Sequence, residues 1–92
     1  MDVIDNKEEK RYEARVAGGL AFVQYLLKPG AIVLTHTEVP EESEGQGIGD
    51  ALVRFVLDDA RARGLSVVPL CPFIAAWIER HPDYRELVKA SG

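Results

Sequence analysis

The first 39 residues alternate between apolar and polar positions in short runs, which is the pattern of half-buried β-strands. Glycine and proline separate these runs: Gly18 and Gly19 supply one turn, and Pro29 and Gly30 supply another. Because the connections are short, we expect consecutive strands to pair as an antiparallel meander. The predicted strands cover residues 3–5, 11–16, 20–27 and 31–39.

Beyond residue 47 the apolar residues recur at spacings of three and four, which is typical of an amphipathic helix packed on a sheet. We expect Gly64 to end this helix as a left-handed cap. The pattern then predicts a short apolar strand at 65–70, a second helix at 73–80 and further helical turns at 84–90. The apolar stripe of the first helix comprises Ile48, Leu52, Phe55, Val56 and Ala60.

A strand, a helix and another strand in succession form a crossover unit, so the strands at 31–39 and 65–70 should run parallel. In such units the C-terminal ends of both strands meet the N-terminus of the helix, and ligands usually bind there. His36 and Glu38 lie near the end of the first strand, two residues apart and therefore on one face. Cys71 lies at the end of the second strand, at the predicted N-cap of the next helix. These three residues are our candidates for catalysis.

A glycine-rich loop lies between the two strand ends. Residues 44–49 read EGQGIG and open the amphipathic helix. The first four amides of a helix have no intrahelical partner and carry partial positive charge, so bare backbone at this place favours a phosphate. Asp50 follows Gly49 where a Walker loop requires lysine, and where a dinucleotide loop requires glycine or alanine. Both of those phosphate loops are therefore excluded.

The composition is that of one small domain over residues 1–92, with 47% hydrophobic and 28% charged residues. A net charge of −4 without a basic patch argues against nucleic acid as a partner. The single cysteine, Cys71, excludes an internal disulfide and a cysteine-based zinc site, and we expect no metal. No apolar run is long enough for a membrane span, and the acidic N-terminus lacks the features of a signal peptide. We therefore expect a cytoplasmic protein without membrane contact.

The glycine loop and three further blocks resemble the Gcn5-related N-acetyltransferases. Gly47 and Gly49 match the two small positions of that superfamily's acyl-CoA loop, and Gln46 and Ile48 are also typical of it. The other blocks are HTEVP at 36–40, PLCPF at 69–73, and His81-Pro82 with Tyr84. With these blocks in this order, the chain resembles a compact, single-domain branch of that superfamily, the small acetyltransferase-like proteins.

The resemblance implies an α/β fold with a mixed sheet: an antiparallel N-terminal meander, a splayed parallel strand pair joined by a crossover helix, and short C-terminal helices. It also implies acetyl-CoA as the cosubstrate, with the diphosphate on the amides of the glycine loop and the pantetheine arm between the parted strands. The residues expected to bind it are Val39, Glu44, Gly45, Gln46, Gly47, Ile48, Gly49, Asp50, Pro72 and Phe73.

Three features depart from the superfamily's pattern. Glu44 replaces the usual glutamine or arginine, and Asp50 adds a carboxylate to the first helical turn. Ile78 and Glu79 occupy the region where typical members carry a tyrosine, and Tyr84 lies several residues later. The identity of the general acid is therefore open.

The sequence leaves two reaction routes and one alternative function open. In the first route an amine attacks the thioester directly, and His36 or Glu38 removes its proton. In the second route Cys71 accepts the acetyl group first, with His36 as its base, and passes it on. The amine belongs to a protein lysine or to a small molecule. The alternative is a CoA-binding or protein-interaction module without catalysis, since a chain of 92 residues has little material for an acceptor site.

Overall fold

The computed structural model describes residues 1–88, which form a five-stranded sheet with the helices packed on one face. The strands are β1 (Val3–Asn6), β2 (Arg11–Val16), β3 (Gly19–Lys28), β4 (Ala31–Glu38) and β5 (Ser66–Pro69). The helices are α1 (Ile48–Ala62), α2 (Pro72–Glu79) and two short 3₁₀ helices, Glu41–Ser43 and Pro82–Leu87.

The strands lie in the sheet in the same order as in the chain. The pairs β1–β2, β2–β3 and β3–β4 are antiparallel, and β4–β5 is parallel. α1 makes the crossover between the two parallel strands. The predicted mixed sheet, with its antiparallel meander and one crossover unit, is therefore confirmed.

Some helix boundaries differ from the prediction. The 3₁₀ helix Glu41–Ser43 was not predicted. α2 has Pro72 in its first position and Cys71 at its N-cap, as predicted, and it ends at Glu79 rather than at residue 80. The second 3₁₀ helix begins at Pro82, because proline suits the first position of a helix, whereas we expected the helix to start at residue 84. The predicted helical residues 89 and 90 lie outside the described residues. No helix within residues 1–88 is long and apolar enough to cross a membrane.

The core lies between α1, α2 and the sheet. α1 contributes Leu52, Val53, Val56, Leu57 and Ala60, all of them buried. Phe55 was predicted to belong to this apolar stripe, but it is 45% exposed, and its ring forms a T-shaped pair with the ring of Tyr12 at 6.2 Å between centroids. The sheet thus selects the helix face centred on Val53, Val56 and Ala60, and Phe55 lies to one side of it.

A bulge in β4 changes which side chains face the helices. Tyr25 of β3 pairs with Leu34, but the next residue of β3, Gln24, pairs with His36, so Thr35 is an extra residue. Leu34 belongs to the core under the helices. Because side chains alternate along a strand and the bulge adds one residue, His36 points to the opposite face of the sheet.

The two parallel strands part at the bulge. Their last pair joins Leu34 to Pro69, and the N–H groups of Leu70 and Cys71 both donate to the carbonyl of Leu34, at 3.0 Å each. β4 continues to Glu38 while the chain after β5 turns into α2. Residues 35–38 therefore have β3 on one side and no β5 partner on the other.

Candidate functional site

The glycine loop leaves few side chains beside the N-terminal amides of α1. Gly45 and Gly47 have φ values of 80° and 77°, and Gly47 is the N-cap of α1. A side chain at either position would be strained by the positive φ, although a Cβ there would meet no other atom within 4 Å. Helix geometry leaves the N–H groups of residues 48–50 without intrahelical acceptors. The loop therefore presents unobstructed amides to an anion.

Position 49 requires glycine for a different reason, which is close packing. It lies within α1, and a Cβ on it would be 3.1 Å from Cζ of Phe73 and 3.6 Å from Cγ2 of Val39. The absence of a side chain lets the first turn of α1 approach α2 and the end of β4 closely. These contacts set the position of the helix N-terminus.

The loop opens into a cleft of about 570 Å³ between the end of β4, α1 and α2. Eight of the ten predicted cofactor residues line it; Gln46 and Pro72 are not among the lining residues. Of the three predicted catalytic residues, only Glu38 lines the cleft. The lining comprises Thr37, Glu38, Val39, Ser43, Glu44, Gly45, Gly47, Ile48, Gly49, Asp50 and Phe73.

His36 and Glu38 share a face, as the sequence predicts, and form an exposed pair. Nε2 of His36 lies 3.2 Å from Oε2 of Glu38. In the ladder with β3, His36 is opposite Gln24 and Glu38 is opposite Phe22, whose ring lies 6.1 Å from the imidazole. The pair therefore stands on the sheet face away from the helices, with Glu38 at the rim of the cleft.

Cys71 occupies the N-cap position of α2, but its thiol does not cap the helix. The residue is 4% exposed, and Sγ donates to Oγ1 of Thr37 at 3.5 Å. Thr37 alternates with His36 and Glu38 along β4, so it points to the helix side of the sheet. Among the described residues no hydrogen bond joins Cys71 to His36, because the bulge turns the two side chains to opposite faces.

Asp50, in the first turn of α1, has bonding partners on α1, on α2 and just after α2. Its Oδ1 accepts a hydrogen bond from the indole Nε1 of Trp77 at 2.8 Å. Nη2 of Arg54 lies 3.7 Å from Oδ2, and Nε2 of His81 lies 3.9 Å from Oδ1. The carboxylate that departs from the family pattern is thus held by residues of α1, α2 and the chain just after α2.

Ser43 fixes the segment that precedes the glycine loop. It is 1% exposed, and its hydroxyl donates to the carbonyl of Ala17 at 2.6 Å. Ala17 belongs to the turn between β2 and β3, and a Cβ on the neighbouring Gly18 would be 3.1 Å from Cβ of Glu42. The segment before the glycine loop is therefore held against the turn between β2 and β3.

Tyr84 lies outside the cleft lining. Its hydroxyl donates to Oδ1 of Asp58 at 2.8 Å, and its ring packs edge-on against Trp77. Burial, followed by the bond to Asp58, raises the pKa of this tyrosine. Tyr84 therefore holds its proton more tightly than a free tyrosine, and its hydrogen bond links the C-terminal 3₁₀ helix to α1.

Three residues of the site were not identified from the sequence: Thr37, Ser43 and Trp77. Thr37 was overlooked because the bulge, which depends on the register with β3, decides which side chains face the cleft. Ser43 directly precedes the loop, and a small polar residue there was the only signal for it. From the sequence Trp77 is a core or pocket-lining residue, and nothing local indicates its bond to Asp50, which spans 27 residues of sequence.

The comparisons with known proteins agree with this geometry. The family model of the GCN5-related N-acetyl-transferases matches residues 11–87. The fold is similar to the solution structure of a GCN5-like protein from Staphylococcus aureus, with a TM-score of 0.75 and 23% identity over 99% of this chain and 90% of that chain.

A second similar structure is the ribosomal-protein-alanine N-acetyltransferase from Brucella melitensis biovar Abortus 2308. Its TM-score is 0.55, with 28% identity over 89% of this chain, and the match spans 62% of that chain. A comparison with curated proteins gave no match. Since the family model covers most of the sequence, including every strand from β2 to β5, the chain belongs to the GCN5-related N-acetyltransferase family.

Proposed function

We propose that the protein transfers the acetyl group of acetyl-CoA to an amine. The observation that supports this best is that the glycine-rich N-terminus of α1 and the end of β4, beyond its last pair with β5, line the same cleft. Acetyl-CoA carries a diphosphate followed by an extended arm, which is the order in which the cleft offers an anion site and an open strand edge.

The residues of the cleft fit this cosubstrate. The space beside Gly45 and Gly47 is one that a Cβ would fill, and the amides of residues 48–50 are suited to hold the diphosphate. The open side of residues 35–38 offers backbone groups to the pantetheine arm. The charged residues of the lining are Glu38, Glu44 and Asp50, so binding would depend on amides and the helix dipole rather than on cations. When bound, acetyl-CoA supplies an acetyl group activated as a thioester.

In the direct route, the amine nitrogen bonds to the acetyl carbon and its proton passes to Glu38 at the rim of the cleft, while the C–S bond breaks and CoA leaves as a thiolate that takes up a proton. His36, 3.2 Å from its carboxylate, orients that carboxylate and can share the proton. Backbone N–H groups on the open side of β4 stabilise the negative charge that develops on the acetyl oxygen. This route uses groups that are already exposed at the cleft, and we therefore favour it.

A second route through Cys71 has one observation in its favour. The thiol lies at the N-cap position of α2, and its hydrogen bond to Thr37 connects it to the cleft lining. In this route the sulfur of Cys71 would bond to the acetyl carbon, the C–S bond of acetyl-CoA would break, and CoA would leave with the proton that Cys71 gives up; an amine would then displace Cys71 from the acetyl group and return a proton to it. His36 would not act as its base without a rearrangement, because the two residues face opposite sides of the sheet.

The acceptor is an amine of a protein lysine or of a small molecule. The Brucella protein is named for the alanine of a ribosomal protein, which supports an amine acceptor in this chain. A CoA-binding module without catalysis is the alternative function. It is favoured by the bonding of Tyr84 to Asp58, which keeps this tyrosine from supplying an acid in the cleft.

Isothermal titration with CoA and acetyl-CoA tests the binding part of the proposal, with Gly47→Val as the probe and Gly64→Val as the matched control. Both glycines have positive φ, 77° and 70°, and open space around them, but Gly64 follows the opposite end of α1. We expect both variants to lose similar stability, and only Gly47→Val to lose at least tenfold in affinity for CoA. Equal affinities in the two variants would contradict the proposed phosphate site.

Release of CoA from acetyl-CoA in the presence of poly-lysine or putrescine tests catalysis. Intact-mass spectrometry of the protein after incubation with acetyl-CoA then distinguishes the routes. The direct route predicts turnover in Cys71→Ala and no acetyl adduct on Cys71. Binding of acetyl-CoA without release of CoA in the presence of either amine would support the non-catalytic alternative.

A further inference from the structure

Asp50 places a negative charge next to a site suited to negative ligands. It is the third residue of α1 and lines the cleft. A carboxylate in the first turn stabilises the helix dipole, but it would repel a phosphate bound to the same amides. A phosphate site at this position therefore requires that the carboxylate is held in another direction.

Trp77 supplies the group that holds it. The indole N–H donates to Oδ1 of Asp50 at 2.8 Å, and the tryptophan is 1% exposed. The indole is fixed by its neighbours: it stacks on the ring of His81 at 3.7 Å with 10° between the planes, and the ring of Tyr84 meets it at 5.1 Å. A donor with so little freedom also restricts the carboxylate that it binds.

Two cationic or protonatable side chains complete the arrangement. The guanidinium of Arg54 lies over the indole at 5.1 Å, with Nη2 3.7 Å from Oδ2 of Asp50. The Nδ1 of His81 faces the carbonyl of Trp77 at 2.7 Å, so Nδ1 carries the proton and donates it. This bond anchors the imidazole under the indole, and Arg54 offsets part of the charge on Asp50.

We infer that Trp77 is a positioning residue of the diphosphate site, acting through Asp50. Its N–H, assisted by Arg54, directs the carboxylate of Asp50 away from the amides of residues 48–50. The inference rests on the proposed function, because it requires that the diphosphate of CoA binds at those amides. It assigns a role in ligand binding to a tryptophan whose burial alone would place it in the core.

The test is a titration of CoA into Trp77→Phe, which keeps an aromatic ring and removes the N–H. The released carboxylate is expected to weaken CoA binding about tenfold, which corresponds to about 1.4 kcal/mol. Adding Asp50→Asn to this variant should restore the affinity to within threefold of the original protein. A purely structural role predicts no such rescue, because asparagine at position 50 does not repair the packing around residue 77.

Tyr84→Phe is the matched control. It removes a hydrogen bond of the same kind, from a buried aromatic residue to Asp58 of the same helix, and it keeps the ring that packs on Trp77. Asp58 lies two turns further along α1 than Asp50. We expect Tyr84→Phe to lower the stability to thermal unfolding and to leave the affinity for CoA unchanged.

The outcomes separate this inference from the function on which it rests. If the unmodified protein does not bind CoA, both are overturned. If it binds CoA but Trp77→Phe binds equally well, or Asp50→Asn fails to rescue, only the inference is overturned. Should Trp77→Phe not fold, the single variant Asp50→Asn decides: a gain in affinity of less than threefold supports the inference, and a gain of threefold or more contradicts it.

Discussion

The two ends of α1 are built from different parts of the chain. At the N-terminal end, glycines with positive φ and free backbone amides form the cleft. At the C-terminal end, side chains join α1 to the first three strands. Tyr12 donates to Asp59, Tyr25 donates to Asp5, and Arg63 donates to the hydroxyl of Tyr12 at 3.2 Å.

The difference separates ligand binding from stability. Amides without partners are available to an anion, but they add nothing to the stability of the unliganded protein. The side-chain network gives the hydroxyls of two buried tyrosines, Tyr12 and Tyr25, their hydrogen-bond partners. Loss of a partner would leave a buried hydroxyl unsatisfied, which costs stability. Substitutions at the C-terminal end of α1 should therefore change the free energy of unfolding, and those at the N-terminal end should mainly change binding and turnover.

The largest change in stability is expected for Tyr12→Ala. The ring is 1% exposed in the core, and its loss should cost about 3–5 kcal/mol of unfolding free energy, measured by urea denaturation. Tyr12→Phe, which keeps the ring and loses only the hydroxyl, should cost about 1–2 kcal/mol. CoA affinity of the folded protein should stay within twofold in both variants. A tenfold loss would show that the two ends of α1 are coupled.

The second largest effect is expected at alkaline pH. Burial, and next the hydrogen bond to Asp5, raise the pKa of Tyr25 to about 12, and burial with the bond to Asp59 also raises the pKa of Tyr12. An unfolded tyrosine titrates near pH 10, so the unfolded chain loses these protons first. Stability should be complete below about pH 10 and fall towards pH 12, by up to about 1.4 kcal/mol per pH unit for each tyrosine.

Urea midpoints measured between pH 8.5 and pH 11.5 check this prediction. Tyr25→Phe should show a shallower decline above about pH 10, because it removes one of the three tyrosines whose pKa is raised, Tyr12, Tyr25 and Tyr84. A midpoint that stays constant up to pH 11.5 in the original protein would contradict the inferred network. CoA binding is uninformative in this range, since the thiol of CoA itself titrates.

Ser43→Ala tests the exception, a side chain that matters at the N-terminal end. Removal of the hydroxyl leaves the carbonyl of Ala17 without this donor and should cost about 1–2 kcal/mol. Because the bond also holds the segment before the glycine loop, CoA affinity should fall about threefold, as measured by titration. Loss of stability without any loss of affinity would mean that the loop keeps its shape without this anchor.

Most of the fold could be predicted from the sequence because its signals are local. The strand runs before residue 39, the change of period at residue 47 and the turn residues around Gly30 each act within a few positions. The glycine loop was recognisable for the same reason, since the required φ values are a property of single residues. The face of α1 was less certain from its own sequence, because Phe55 and Val53 compete for the core and the sheet decides between them.

The side chains of the site depend on contacts between distant parts of the chain. The bulge at Thr35 arises from the pairing of β3 with β4, and it alone determines that Thr37 faces Cys71 while His36 does not. The bond from Trp77 to Asp50 joins two helices. Neither has a sequence pattern of its own, and so the backbone part of the site was predictable while the pairing of its side chains was not.

Glu38→Gln should have the smallest effect on stability and still change the reaction. Within residues 1–88 the side chain of Glu38 is bonded only to His36, and both side chains are more than half exposed, so the variant should lie within about 0.5 kcal/mol of the original protein in urea. If Glu38 accepts the proton of the amine, the rate of CoA release in the presence of poly-lysine should fall about a hundredfold, while the affinity for CoA stays unchanged. Glu42→Gln, an exposed glutamate that does not line the cleft, is the control and should retain full turnover. Equal turnover of both variants would remove Glu38 from the reaction and would leave the N-terminal end of α1 as a binding site whose base lies elsewhere.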